Sequence, residues 1–261
     1  MEFFDSHSHY NDEKFDEDRD TVIKQTYDEG ITKFICAGYD VESSKKSIEI
    51  ANKYDYIYSI CGISPNDVPD ELDKIDEEIN KIEELIKKDS NKNVVAVGEI
   101  GLDYHWNDQN KQIQKEMFIK QIKLANKYNL PIVIHTREAV QDTLDILKNE
   151  CIAINKGVFH CCPLNRELVK EALKLGFYIS FAGPITFKNS KNAEEIVNMV
   201  PIEKILIETD SPYLAPEPKR GTRNDSRNVK LVAQKIANFK NMPLQDVADI
   251  TYKNACNIFQ K

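Results

Sequence analysis

The alternation of short strand-like runs with longer helical segments is the feature that most constrains how this sequence can fold. The short runs are rich in β-branched and aromatic residues, and the segments between them carry apolar residues at helical spacing. We predict eight strands: Phe3–Ser6, Lys33–Ala37, Ile57–Gly62, Val94–Glu99, Ile132–His135, Ala153–His160, Phe177–Phe181 and Ile205–Thr209. Strands that alternate with helices imply a parallel sheet, and eight such units favour closure into a barrel.

The predicted fold class is therefore α/β, a single (β/α)8 TIM-type barrel. The segment Val229–Phe239 supplies the helix of the last unit, and Leu244–Phe259 is an extra C-terminal helix. No low-complexity stretch or linker interrupts the pattern, so we predict one domain over residues 1–261, a length that suits a barrel of this kind.

Composition and charge limit the class of protein. The N-terminal residues lack a basic segment followed by a long apolar stretch, and no apolar run approaches the roughly 18–20 residues that a membrane span needs. The six cysteines are scattered, without a Cys-x-x-Cys pair, which is typical of a reducing compartment. We expect a cytoplasmic, monomeric protein that does not bind membranes.

The formal net charge of −8 argues against binding of nucleic acid over the whole surface. It does not exclude a nucleic-acid substrate, because divalent metals and a local basic patch can supply a positive field where it is needed.

Six side chains that can bind metal lie at or just after the ends of predicted strands. Since such strand ends converge on one face of a barrel, these side chains are expected to meet there. Individually, the histidines could be surface or core residues, the glutamate could form a buried salt bridge and the aspartate could cap a turn. Their joint occurrence favours a metal site. The predicted ligands are His7, His9, Glu99, His135, His160 and Asp210.

The ligand set also predicts how many ions bind and what they do. Imidazoles and carboxylates suit Zn, Mn or Mg, and six ligands exceed what one tetrahedral ion takes. We predict two divalent ions that share a carboxylate and activate water. Asp210 is the predicted catalytic base, and Glu99 is the other predicted catalytic residue. Cys161 follows His160 directly and should face the opposite side of its strand, outside the site.

Four motifs together carry a family resemblance: Phe4–His9, Gly98–Tyr104, Leu130–Arg137 and Glu208–Pro216. Over essentially its whole length the sequence resembles the TatD family of metal-dependent deoxyribonucleases, within the amidohydrolase-like barrels. The resemblance implies hydrolysis of phosphodiesters in DNA, often from the 3′ end. Because the acidic surface should repel a long duplex, we expect single-stranded ends as the substrate. The resemblance also implies that His7, His9, Glu99 and Asp210 hold one ion, and that Glu99, His135 and His160 hold the other, with Glu99 bridging.

The sequence departs from the family pattern near the expected substrate. Ser64 and Asn66 stand where the family usually has two histidines, Cys162–Leu164 replace an aromatic, a small residue and glycine, and Asn224–Ser226 replace Asn-Glu-Pro. None of these departures removes a predicted metal ligand.

Several further residues are candidates for substrate binding. Arg137, Arg220, Arg223 and Ser64 are the predicted substrate-binding residues, and Lys219 and Arg227 extend the basic segment. The alternatives are a solvated loop for the basic segment and a salt bridge for Arg137. Asp103 and Tyr104 are expected to support the ligands from behind. His105 and Trp106 either stack on a base or shape their loop.

Two competing functions remain open. A protein with this fold and these metals could hydrolyse a small cyclic amide, a lactone or an aminoacyl ester. Many such relatives bridge their ions with a carbamylated lysine, whereas this chain has Glu99 at the corresponding strand, which favours the nuclease. A metal-binding barrel without activity, acting as a scaffold, is the third possibility.

Overall fold

The computed structural model describes residues 1–106, 110–150 and 152–261, without the side chain of Glu150. Within these ranges eight strands form one sheet in the order β1 to β8, and each adjacent pair is parallel. The strands are β1 (Phe3–Ser8), β2 (Ile31–Ala37), β3 (Ile57–Cys61), β4 (Val94–Asp103), β5 (Ile132–Arg137), β6 (Gly157–Phe159), β7 (Tyr178–Phe181) and β8 (Ile205–Ile207).

Helices follow the strands along the chain. They are α1 (Arg19–Asp28), α2 (Val41–Ala51), α3 (Ile75–Lys88), α4 (Lys111–Lys127), α5 (Val140–Asp145), α6 (Arg166–Lys174), α7 (Ala193–Met199), α8 (Val229–Lys240) and α9 (Leu244–Phe259), and a π-helical turn, Ile146–Glu150, continues α5. The predicted (β/α)8 barrel with an extra C-terminal helix is confirmed. Within the described ranges, no helix combines the length and the apolarity that crossing a membrane requires.

The seam between the first and last strands nearly closes the barrel. Asp210 donates its backbone N–H to His7 (2.9 Å), and His9 donates its own to Ser211 (2.7 Å). Further down the seam, Asp5 is fully buried and accepts hydrogen bonds from the backbone N–H (2.9 Å) and the hydroxyl (2.5 Å) of Thr209. These bonds fix the end of β1 against the segment that follows β8. The end of β1 carries His7 and His9, and the segment after β8 carries Asp210.

The amino-terminal end of the barrel is filled by apolar side chains. Phe4 packs its ring against Tyr58, Tyr252 and Phe259, so residues of α9 join the interior cluster. Asn254 in the same helix donates to the carbonyls of Ile202 and Ile205 at the start of β8. The extra helix therefore packs against the end of the barrel opposite the predicted ligands.

The bounds of six strands lie within about two residues of the sequence prediction, and those of β4 and β6 differ more. β6 begins only at Gly157, because residues 153–156 form a turn in which Lys156 has a positive φ of 57°. β4 continues to Asp103, so Glu99 lies within the strand and not at its end. The register of β4 against β5 shifts between Val97 and Ile100. A Cβ on Gly101, whose φ is +142°, would collide with the carbonyl of His135, so glycine permits the close approach of the two strands.

The seam gives a stability prediction. Thr209→Val keeps the side-chain shape but deprives the buried Asp5 carboxyl of its hydroxyl donor. We expect the free energy of unfolding to fall by about 1–3 kcal/mol, the usual consequence of an unsatisfied buried acceptor. Urea denaturation measures this, with Thr222→Val, at an exposed position, as the matched control. Equal unfolding midpoints for the two variants would contradict the role assigned to the seam.

Candidate metal centre

The structure brings all six predicted ligands to the carboxyl end of the barrel. His7 lies in β1 and His135 in β5, Glu99 lies within β4, and the other three follow the ends of β1, β6 and β8. Potential ligand atoms in three overlapping groups lie within 4.8 Å of one another. These groups are His7, His9 and Glu99; His7, His160 and Asp210; and Glu99, His135 and His160.

Glu99 occupies the middle of the cluster. Its Oε1 lies 3.0 Å from His135 Nδ1 and 3.3 Å from His160 Nε2. Its Oε2 lies 3.4 Å from His7 Nε2 and 3.9 Å from His9 Nε2. One carboxylate thus presents a separate oxygen to each of two imidazole pairs.

Asp210 completes the cluster on the side of β1. Its Oδ1 lies 3.3 Å from His9 Nε2 and 3.8 Å from His7 Nε2. The residue has a positive φ of 54°, a conformation that aspartate tolerates better than most residues. The backbone bond from Asp210 to His7 holds this turn in place, so the carboxylate is oriented by the barrel seam.

Polar groups behind the cluster face three of the four imidazoles. His9 Nδ1 lies 3.0 Å from the carbonyl of Ala37, and His135 Nε2 lies 2.9 Å from Asp103 Oδ2. His160 Nδ1 lies 3.3 Å from Glu208 Oε1. In each ring the other nitrogen then faces the cluster, which is the arrangement that fixes metal-binding histidines. The predicted support from Asp103 is present. Tyr104 instead donates its hydroxyl to Asp142 (2.7 Å).

Glu208 is the functional residue that sequence analysis missed. Its side chain is fully buried, and Oε1 also accepts the backbone N–H of Cys161 (2.6 Å). The sequence held a signal for it, because Glu208 precedes Asp210 by two residues and a carboxylate in a buried segment requires a partner. Glu208 holds both His160 and the backbone that follows it.

Cys161 corrects a prediction. Strand alternation placed this side chain outside the site, but β6 ends at Phe159 and Cys161 has a positive φ of 36°. The alternation of a strand therefore no longer applies at this residue. Cys161 lines the same cavity as Glu99, His160 and Asp210.

The imidazoles of the cluster lower the pKa of both of its carboxyl groups. Burial acts to raise the pKa of Glu99, but His160 and His135 outweigh it and hold that pKa well below its usual value. Burial likewise acts to raise the pKa of Asp210, and His9, with smaller contributions from His7 and His160, lowers it to about 2. Both carboxylates are therefore ionised at neutral pH, as metal ligands must be.

A cavity of about 970 Å³ opens over the cluster, with Trp106 and Arg137 in its wall. A smaller cavity of about 340 Å³ adjoins it beside His9 and contains Ser64. The hydroxyl of Ser64 donates to Asp67 (2.5 Å). Of the predicted substrate-binding residues, Arg137 and Ser64 thus lie beside the ligands.

The basic segment after β8, which runs from Lys219 to Arg227, does not line the two cavities beside the candidate ligands. Arg223 donates to both carboxylate oxygens of Asp18 (2.9 and 2.6 Å), and the guanidinium of Arg220 lies 4.4 Å from the centre of the Phe187 ring. Arg227 pairs with Asp225. Among the described residues, the walls of the two cavities beside the ligands include none of Lys219, Arg220, Arg223 and Arg227.

Known proteins resemble this chain in sequence and in fold. The family described as "TatD related DNase" matches residues 4–260. The chain belongs to this family. It is 42% identical over 257 residues to YabD of Bacillus subtilis (strain 168), an "uncharacterized metal-dependent hydrolase", with 98% of each chain covered. It is 35% identical over 261 residues to MJ1582 of Methanocaldococcus jannaschii, which has the same description, with 100% of this chain and 98% of that one covered.

A solved structure agrees with the barrel. The TatD homologue YjjV of Escherichia coli K12 superposes with a TM-score of 0.91 over 99% of this chain and 98% of its own, at 23% sequence identity. At that identity the likeness concerns the fold. Membership of the TatD-related family confirms the resemblance inferred from the four motifs.

The position of Glu208 gives a prediction about metal affinity. Glu208→Gln keeps the size of the side chain but removes the charge that faces His160. We expect the affinity for added Zn²⁺ or Mn²⁺ to fall roughly 10- to 100-fold, as is usual when the partner of a metal-binding histidine is lost. Competition with a chelator measures the affinity, and Glu203→Gln, at an exposed position, is the matched control. Unchanged affinity in Glu208→Gln would show that Glu208 does not orient the ligand.

Proposed function

We propose that this protein is a metal-dependent deoxyribonuclease that hydrolyses phosphodiesters at single-stranded DNA ends, using two divalent ions. The observation that carries the proposal is the carboxylate of Glu99, each oxygen of which faces a different imidazole pair. The family description supports a DNA substrate.

The donor set fits such ions. His7 Nε2 lies 3.2 Å from His9 Nε2, and His135 Nδ1 lies 3.2 Å from His160 Nε2. Ring nitrogens that converge in this way, beside a shared carboxylate, suit a common cation with nitrogen and oxygen ligands, such as Mg, Mn or Zn. His7, His9, Glu99 and Asp210 would hold one ion, and Glu99, His135 and His160 the other.

Two such ions would lower the pKa of water and stabilise the attacking and leaving oxygens of the phosphodiester. Asp210 takes the proton of the attacking water, because its carboxylate lies at the edge of the cluster that faces the cavity. Arg137, in the cavity wall, contributes a positive charge that attracts the phosphate. Glu208, Asp103 and the carbonyl of Ala37 keep the imidazoles oriented.

The choice of single-stranded ends follows from shape and charge. Four of the six candidate ligands, His7, His9, Glu99 and His160, are buried, so a phosphate held in a duplex would reach them less readily than one at a free single-stranded end. The net charge of −8 further disfavours a long duplex lying across the barrel mouth.

The test is hydrolysis by metal-loaded protein of 3′-labelled single-stranded DNA, compared with blunt duplex, RNA and a panel of lactones, cyclic amides and aminoacyl esters. We expect the single strand to be cleaved fastest, with label released from the 3′ end. Much faster turnover of a lactone, cyclic amide or aminoacyl ester would replace the nuclease with that alternative. Absence of any turnover would favour a scaffold.

The bridging position of Glu99 predicts an order of activity among variants. Glu99→Ala removes a ligand from both ions, whereas His7→Ala removes one imidazole that water can partly replace. We therefore expect turnover at saturating metal to be lost more completely in Glu99→Ala. Elemental analysis should find both ions depleted in Glu99→Ala and unchanged in the exposed control Glu203→Ala. Similar residual rates in Glu99→Ala and His7→Ala would rule out bridging.

Substitution of Asp210 by asparagine tests its role as a base. Asp210→Asn keeps an oxygen ligand but cannot accept a proton, so most of the metal should stay bound. We expect the rate to fall about 10²- to 10⁴-fold, the usual contribution of general base catalysis. Rates and metal content are measured on the same preparations. Near-normal turnover at full metal occupancy would assign the base elsewhere.

A further inference from the structure

We propose that Trp106 and Arg137 form a platform that stacks the nucleobase next to the phosphate being cleaved, so that this enzyme selects ends that carry a base. This inference rests on the proposed function and adds the part of the substrate that the wall of the cavity recognises. The metal cluster itself contacts only phosphate and water, so it offers no means of recognising a base.

Trp106 is the only tryptophan in the sequence, and its side chain is 70% exposed. Singly exposed apolar side chains are common in proteins, so the position of Trp106, and not its exposure, carries the inference. Trp106 lines the same cavity as Glu99, His135 and Asp210. A base that stacks on its ring would therefore lie within the cavity that holds the metal cluster.

Arg137 lies with its guanidinium carbon 5.3 Å from the centre of the Trp106 ring. Its neighbour Glu138 is engaged by His105, whose Nδ1 lies 2.6 Å from Glu138 Oε1. Within the described ranges, no carboxylate forms an ion pair with Arg137, so the guanidinium can face a ligand. Aromatic rings and guanidinium planes are the groups on which proteins stack unpaired bases.

The platform is fixed to the metal cluster through a single carboxylate. Asp103 Oδ1 accepts the backbone N–H of His105 (2.9 Å), while Oδ2 lies 2.9 Å from the ring of His135. His105 in turn packs edge-on against Trp106, with ring centres 4.7 Å apart. Asp103 thereby connects the segment that carries Trp106 to the imidazole of His135.

The smaller cavity that adjoins the larger one is unsuited to a strand of nucleic acid. It contains the carboxylate of Asp67, and Tyr213, which lines both cavities, donates its hydroxyl to Asp12 (2.6 Å). Carboxylates there repel phosphate, which favours the wall formed by Trp106 and Arg137 for the base and its sugar.

The single tryptophan makes binding directly observable. Metal-loaded protein is titrated with dAMP and, separately, with 2-deoxyribose 5-phosphate, which has the same phosphate but no base. We expect saturable quenching of tryptophan fluorescence by dAMP and no quenching by the sugar phosphate. Quenching by both, or by neither, would overturn the platform.

Kinetics give a second readout. On single-stranded DNA, Trp106→Ala should raise KM about tenfold or more with kcat little changed, because stacking on one aromatic ring is lost. Trp106→Phe should restore most of the affinity, and Tyr27→Ala, an exposed aromatic that stacks on Tyr56, is the matched control. With an oligonucleotide whose 3′-terminal residue is abasic, Trp106→Ala and wild type should have the same KM.

The outcomes separate the two proposals. An equal rise in KM on normal and abasic ends would mean that Trp106 only shapes its loop, which overturns the platform but leaves the nuclease. Quenching by dAMP without hydrolysis of any phosphodiester would support the platform and overturn the nuclease. Quenching by an apolar lactone in place of dAMP would overturn both.

Discussion

The carboxylate of Glu99, buried among four imidazoles, is the interaction on which the rest of this structure depends. A buried carboxylate is costly unless charged or hydrogen-bonding partners surround it, and here four ring nitrogens lie 3.0–3.9 Å from its two oxygens. Those rings must in turn be held, which explains why Glu208, Asp103 and the carbonyl of Ala37 stand behind them. The same arrangement that stabilises Glu99 also prepares a site for cations.

Reaching this position requires an irregular strand. The register of β4 shifts against β5 on either side of Glu99, and Gly98 and Gly101 bring the two backbones too close for a Cβ at either glycine. The other half of the cluster depends on the seam, where Asp5 and the backbone of Asp210 tie β1 to the segment after β8. Distant parts of the chain thus set distances of 3–4 Å in the cluster, and small errors in the barrel would separate the ligands.

The barrel and the convergence of the six candidate ligands could be predicted from the sequence because they depend on local patterns. Strand and helix periodicities are visible in short windows, and a parallel barrel brings all carboxyl ends of its strands to one face. Cys161 could not be placed in this way, because its orientation follows from a positive φ after β6, which no periodicity reports. Glu208 was missed because its role depends on a contact with His160, 48 positions away. Arg223 has the right charge for phosphate, but only the fold reveals that Asp18 already neutralises it.

The distribution of positive charge around the cluster has a consequence for how substrate is held. Arg223 and Arg227 are each paired with carboxylates of the surrounding surface, so they add little field at the cavity. Arg137 is the cation that lines the larger cavity among the described residues, and it lies on the aromatic side. Under the proposed function, attraction of an anionic substrate would therefore come mainly from ions bound at Glu99, with a single guanidinium to orient it. Such a site would favour one phosphate group at a chain end over a long backbone, because neighbouring phosphates would meet carboxylates and not cations. A protein with a net charge of −8 would in this way present a local site for an anion without attracting nucleic acid over its whole surface.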